Sequence, residues 1–259
     1  RRARRGKYSA TLRTTKKRYT VLARERIFVA LDTTDVAKAA ALAKDLSGLV
    51  GGVKLGKEFF TATGPQGVAQ VAAGGQPVFL DLKFHDIPNT VAGAIRAAMK
   101  LRPFMVNVHA GGGATMMRAA ADAAIEAAES EGCQRPLVLG VTVLTSLGED
   151  DLQDVGMAGA TLDQVIRLGA LAQESGLDGV VCSAREVEAL RGACGADFKL
   201  VVPGIRPAWA STDDQKRIMT PADAVSAGAD YLVIGRPITG ADNPADAARR
   251  IVGEIEAAE

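Results

Sequence analysis

VFLDLKFHDIPNT (78–90) begins as an apolar strand and ends as a cluster of charge, with Asp81, Lys83, His85 and Asp86 inside six residues and Pro88 positioned to open a helix. Side chains alternate along an extended strand, so Asp81 and Lys83 are expected on one face and Leu80 and Leu82 on the other. Two carboxylates flanking one ammonium at the C-terminal end of a strand are costly to desolvate, and folding alone would be served by apolar residues there. The stretch therefore reads as a reaction centre. Taken by itself, D-x-K-x-x-D is short and also fits a solvated salt-bridge network at an exposed strand end, so the rest of the chain must decide.

Outward from this strand, one unit repeats. The β-rich runs are IFVALD (27–32), GGVKLG (51–56), VFLDLK (78–83), FMVNVHA (104–110), LVLGVTVL (137–144), DGVVCS (178–183), KLVVPG (199–204) and YLVIG (231–235). Each precedes a helical stretch, expected at about 35–47, 57–73, 89–101, the Ala-rich body of 111–132, 161–175, 184–192, 217–227 and 244–257. Asp35 is the candidate cap of the first helix. Nearly continuous Val, Ile and Leu in the strands suits parallel strands covered by helices on their outer side. Eight such units in about 235 residues, with no linker between them, predict a single-domain α/β fold, a (β/α)8 TIM barrel over 25–259. A doubly wound open sheet is the alternative, but no G-x-G-x-x-G follows the first strand.

Composition excludes several classes. No apolar run approaches the roughly 18 residues of a spanning helix, so a soluble protein is expected. Cys133, Cys182 and Cys194 lack C-x-x-C or His-linked spacing, which indicates neither a disulfide framework nor a structural zinc site and suggests a reducing, cytoplasmic setting. Residues 1–24 hold ten of the 31 Lys and Arg and no acid, leaving 21 bases against 30 acids in the body, a net of −9. An acidic body argues against nucleic acid as its partner. The basic segment 1–24 is expected to be a disordered extension, ahead of the readings as a nucleic-acid arm, a membrane-surface arm or a transit peptide.

In a (β/α)8 barrel the chemistry sits at the C-terminal strand ends. Those ends carry Asp32, Lys54, Asp81 with Lys83 and Asp86, Asn107 with His109, Thr145 with Ser146, Ser183, Arg206, and Gly235 with Arg236. PGIRP (203–207) and IGRPI (234–238) set Gly beside Arg after the last two strands, where such barrels often bind phosphate. Gly permits close backbone approach, and Arg offers a forked pair of donors. A phosphorylated small substrate is expected, with Gln215 in the loop STDDQKR (211–217) placed to close over it. The GGGAT turn (111–115) reads as a flexible βα turn, and His85 and His109 receive no role.

These residues, in order, resemble the bacterial orotidine 5′-monophosphate decarboxylase family: LD at 31–32, VKLG at 53–56, DLKFHDIPNTV at 81–91, VLTS at 143–146, PGIR at 203–206, DQKR at 214–217 and IGRPI at 234–238. DLKFHDIPNT is specific, and the short motifs gain weight from their order. The resemblance implies a homodimer that converts orotidine 5′-monophosphate to UMP in pyrimidine synthesis without metal, cofactor or covalent intermediate. It implies that Lys54, Asp81, Lys83 and Asp86 form a charged tetrad, with Asp86 and Thr90 crossing to the partner's site and Lys83 donating the proton. By the same resemblance Asp32 and Lys54 hold the ribose, Thr145 the pyrimidine, and Arg206, Gln215, Gly235 and Arg236 the phosphate region. Two alternatives stand beside it: a Mg2+-dependent sugar-phosphate decarboxylase or hexulose-phosphate synthase with the same D-x-K-x-x-D core, and a non-catalytic nucleotide-binding barrel. FHDIPNT and DQKR favour the nucleotide enzyme.

Overall fold

The computed structural model describes residues 21–210 and 219–258. Eight parallel strands close into a barrel in chain order, β1 (Ile27–Ala30), β2 (Gly52–Gly56), β3 (Val78–Phe84), β4 (Met105–His109), β5 (Leu137–Val141), β6 (Gly179–Val181), β7 (Lys199–Pro203) and β8 (Tyr231–Ile234), with β8 pairing back onto β1. Around them run α1 (Val36–Asp45), α2 (Lys57–Ala72), α3 (Pro88–Met99), α4 (Gly113–Glu131), α5 (Glu149–Asp154), α6 (Thr161–Glu174), α7 (Val187–Cys194), α8 (Pro221–Ser226), α9 (Arg236–Thr239) and α10 (Pro244–Glu256). The (β/α)8 expectation holds.

Alternation along each strand divides the core in two. Outward residues such as Val29, Val53, Leu80, Val106 and Val202 pack under the helices, while Phe28, Phe79, Met105, Leu139, Val201 and Val233 fill the barrel. At the barrel floor Phe28 stacks on Phe104, centroids 5.5 Å apart, and meets the edge of Tyr231 at 5.7 Å. With the floor plugged, the polar inward positions of β2, β3 and β4 collect at the opposite, C-terminal mouth. α3 and α4 lie close together because α4 turns a stripe of buried Ala (Ala120, Ala121, Ala124, Ala128) inward, and small side chains let backbones approach.

Local chemistry moved several expected boundaries. Asp35 caps α1, accepting the Lys38 backbone N–H at 3.0 Å. The helix expected from 217 begins at Pro221, because extended Thr220 caps it through the Asp223 N–H and proline suits the first helical turn. α2 bends at Gly64 (φ +64°), immediately before Pro65, which cannot donate to the preceding turn. The polar segment after β5 contains α5, capped by the Asp151 carboxylate, which accepts the Gly148 backbone N–H at 2.8 Å, and α9 forms directly after β8. Of the expected N-terminal extension, 1–20 lie outside the described residues. Residues 23–26 form a 3-10 turn with Ala23 buried, so the described fold begins slightly before residue 25.

Two glycines separate packing from propensity. A Cβ on Gly179 would lie 2.1 Å from the Lys199 carbonyl oxygen across the β6–β7 pair, whereas one on Gly192, inside α7, would meet nothing within 4 Å. Gly179→Ala is expected to destabilise the fold by about 1–3 kcal/mol through strand displacement. Gly192→Ala should stabilise it by roughly 0.5–1 kcal/mol through lost unfolded-state freedom. Urea unfolding midpoints on either side of the parent check the pair.

Candidate active site

Three successive strands deliver a row of alternating charge to the barrel mouth. Asp32 follows β1, Lys54 is the inward side chain near the end of β2, and Asp81 and Lys83 belong to β3. Lys54 Nζ lies 3.2 Å from Asp32 Oδ1 and 3.6 Å from Asp81 Oδ2, and Lys83 Nζ donates to Asp81 Oδ1 at 2.6 Å. Exposure of the side chains falls from 64% at Asp32 to 12% at Lys54 and Asp81. The outer carboxylate is thus free to meet a ligand, while the inner one is held between two ammoniums.

Asp81 stays ionised. Burial acts to raise its pKa, but the Lys54 and Lys83 charges, with hydrogen bonds from Lys83 and Asn107, outweigh burial and hold it below its ordinary value. His109 goes the other way: burial first, then the positive surroundings of His85, Lys57 and Lys83, depress it from 6.5 to about 4. Its ring centroid sits 5.5 Å from that of exposed His85. Both histidines therefore stand at the rim of the site, and His109 is neutral at physiological pH.

At the mouth, among the strand ends and the loops that follow them, lies a cavity of about 370 Å³, within the range of small-molecule sites. Its charged lining is Asp32, Lys54, Asp81, Lys83, Arg206 and Arg236, two anions against four cations. Thr145 and Gly235 line it too, and Val141, Val143, Leu144 and Pro203 supply an apolar wall. Neither arginine is ion-paired with a carboxylate among the described residues. A net charge of +2 facing an apolar wall suits a flat, anionic molecule. Larger still, at about 850 Å³, is a concavity at the barrel floor among residues such as Gln76, Arg102, Arg135 and Tyr231. It is broad and lies away from the C-terminal strand ends where barrel chemistry is built.

Two expected residues are not in this cavity. Asp86 is exposed, its carboxylate accepting the Ile87 backbone N–H at 2.6 Å, and Thr90 is exposed on the first turn of α3. Gln215 lies outside the described residues. In the described segment before it, the Trp209 ring lies 4.4 Å from the Arg250 guanidinium of α10. Asn107, at a strand end, has no role that sequence alone assigns. It is fully buried, donates to Asp81 Oδ1 at 2.7 Å and accepts the Lys83 backbone N–H at 2.7 Å. The signal available in the sequence was an amide at an inward position of the otherwise apolar MVNV.

Fold and site together define a (β/α)8 enzyme-like barrel with a positively charged, phosphate-suited mouth. Over residues 25–251 the chain belongs to the Orotidine 5′-phosphate decarboxylase / HUMPS family. It is 59% identical over 230 residues to the orotidine 5′-phosphate decarboxylase of Rhodospirillum rubrum, spanning 88% of this chain and 93% of that one. The corresponding protein of Paramagnetospirillum magneticum is 56% identical over 229 residues, with 88% and 97% covered. The crystal structure of orotidine 5′-phosphate decarboxylase from Lactobacillus acidophilus superposes with a TM-score of 0.79 at 38% identity, covering 88% of this chain and 98% of that one.

The depressed His109 has a measurable consequence. Unfolded, the imidazole takes up its proton near 6.5; folded, near about 4. More protons are then bound by the unfolded chain between these values, so the histidine's penalty on stability is absent above pH 6.5, grows as pH falls and levels off below about 4. The His109 ring resonances should titrate near 4 by NMR, and His109→Gln should flatten that part of the stability profile. A midpoint near 6.5 would contradict the assignment. Asp81 contributes in a lower window, where its depressed carboxyl finally protonates.

Proposed function

We propose that the chain decarboxylates orotidine 5′-monophosphate to UMP, in the cytoplasm, as a homodimer and without metal or cofactor. The observation that carries this reading is the Lys83 ammonium, fixed 2.6 Å from ionised Asp81 in a cavity whose lining is otherwise set for an anion. Because the family includes hexulose-phosphate enzymes as well as the nucleotide decarboxylase, the 59% and 56% identical relatives, both named orotidine 5′-phosphate decarboxylases, give the choice between them its weight. Among the described residues, no helix is long and apolar enough to cross a membrane, and no three His, Cys, Asp or Glu side chains converge as a metal-binding group.

In this reaction the C6–carboxylate bond breaks, CO2 leaves, and the electron pair remains on C6 in the plane of the ring. The pyrimidine π system cannot delocalise an in-plane pair, so fixed positive charge must stabilise it where it forms. Lys83 supplies that charge and then transfers a proton to C6, giving UMP. One such pair at ~4 Å and an effective dielectric of ~20 contributes ~4 kcal/mol, against the ~8–23 kcal/mol that enzymes typically remove from a barrier. The remainder must come from preorganisation and from binding energy at the far end of the substrate.

The proposed division of labour follows. Asp32 and Lys54 hold the ribose hydroxyls and Thr145 the pyrimidine. Arg206, Gly235 and Arg236, joined by Gln215 from its loop, hold the phosphate. Asp81 keeps Lys83 in place. Asp86 and Thr90, exposed beside Ile87, which is itself 66% exposed, reach into the partner's site and complete its tetrad. An exposed Ile next to an exposed carboxylate suits a surface that a second copy covers.

Three outcomes test the reading. Protein stripped with EDTA should still convert orotidine 5′-monophosphate to UMP, followed by ultraviolet absorbance; turnover of a sugar phosphate restored by Mg2+ would shift the reading to the hexulose-phosphate enzymes. Lys83→Ala should lower kcat by at least about 10³-fold with UMP affinity largely retained. Mixed with inactive Asp86→Ala subunits, Lys83→Ala subunits should recover activity through one intact site per heterodimer, and no recovery despite verified exchange would remove Asp86 from the partner's site.

A further inference from the structure

We infer that Asn107 is a positioning residue for this reaction, its buried amide fixing both the Asp81 carboxylate and the Lys83 backbone so that the Lys83 ammonium is aimed into the pocket. This rests on the proposed decarboxylation and deepens it by naming what holds the proton donor.

The argument starts from the strand register. β3 and β4 pair at Leu80 with Val106 and again at Phe84 with Val108, so Asp81, Leu82 and Lys83 on one strand face Asn107 alone on the other. The two surplus residues form a bulge, and a bulge removes ladder partners from the backbone groups it contains. Within it Lys83 has φ +52°, a left-handed conformation that costs a side-chain-bearing residue roughly 1–2 kcal/mol. Something outside the ladder must hold this conformation, and a buried N–H left unbonded would add to the cost.

Asn107 meets both needs with one side chain. Its Oδ1 takes the Lys83 N–H and its Nδ2 gives a hydrogen bond to Asp81 Oδ1, each at 2.7 Å, and the residue is 0% exposed. Asp81 Oδ1 is the same atom that accepts the Lys83 ammonium at 2.6 Å. The amide therefore closes a ring running from the Lys83 backbone, through Asn107 and Asp81, to the Lys83 side chain. Its chemistry is specific: an acceptor on one end and a donor on the other. Asp at this position would put a second carboxylate against Asp81, Leu would supply neither bond, and Ser would be too short to span both.

The test compares Asn107→Asp, Asn107→Leu and Asn107→Ser with the unmutated protein in steady-state turnover of orotidine 5′-monophosphate, with UMP affinity and thermal unfolding measured in parallel. Each folded variant is expected to lose about 10²-fold in kcat, as for a reacting group misplaced by a fraction of an ångström to an ångström, while UMP affinity stays within a few-fold. In Asn107→Asp the acid limb of the kcat profile should also move to higher pH, because two adjacent carboxylates share a proton and Asp81 is then discharged sooner. A purely structural residue would lower the unfolding temperature without moving that limb. Should the Asp and Leu variants fail to fold, the Ser variant decides. A folded variant with kcat within about threefold of the parent and an unmoved pH profile overturns the inference about Asn107 alone. Absence of turnover by the unmutated protein would instead remove the decarboxylase reading, and this inference with it.

Discussion

Asp81 is a buried carboxylate that keeps its charge, and the cost of doing so organises the mouth of the barrel. Desolvation alone would favour the protonated acid. Lys54 and Lys83 on either side, and the Asn107 amide against one oxygen, reverse that preference. In return the carboxylate holds two ammoniums in a space where like charges would otherwise separate. An arrangement of this kind adds little to stability, since replacing buried ion pairs by apolar residues is often neutral or favourable. Its value lies in setting charge in place before the substrate arrives, so that little reorganisation accompanies the reaction.

The barrel makes this possible by dividing its labour along the axis. Phe28, Phe104 and Tyr231 close the floor, and a packed layer of Phe79, Met105, Leu139, Val201 and Val233 excludes water beneath the charges. Because the sheet closes on itself, every strand is paired on both sides and its direction is fixed from both sides. Rigidity of that kind allows β3 to carry a bulge and a left-handed Lys83 while staying paired to both neighbours. The irregularity lies at the functional end, where tight turns and strained conformers commonly concentrate.

Much of this was legible in the chain itself. Nearly continuous apolar runs followed by amphipathic stretches set the order of eight strands and their helices, and polar residues interrupting those runs at one end marked Asp32, Lys54, Asp81 and Lys83. Where expected boundaries moved, local capping accounts for it: Thr220 and Pro221 start α8 later than its apolar pattern suggests, and Asp151 caps a short helix in the polar segment after β5. The shared face of Asp81 and Lys83 was expected from strand alternation. The contact is there, but the backbone reaches it through a two-residue register shift rather than a regular ladder.

Residue type and spacing along one chain determined the fold class, the end of the barrel that carries the chemistry and the charged residues gathered there. Covalent neighbours impose these patterns, which makes them readable in one dimension. Tertiary structure alone decided that Asn107 belongs to the site, that His109 is held neutral, and that Asp86 is exposed outside the cavity lining. Each depends on a group from another element: Asn107 is 24 residues from the N–H it satisfies, and the His109 environment combines charges from the start of α2, β3 and the segment after β3. Electrostatics and hydrogen bonding act through space, and only closure of the barrel sets which distant residues share that space.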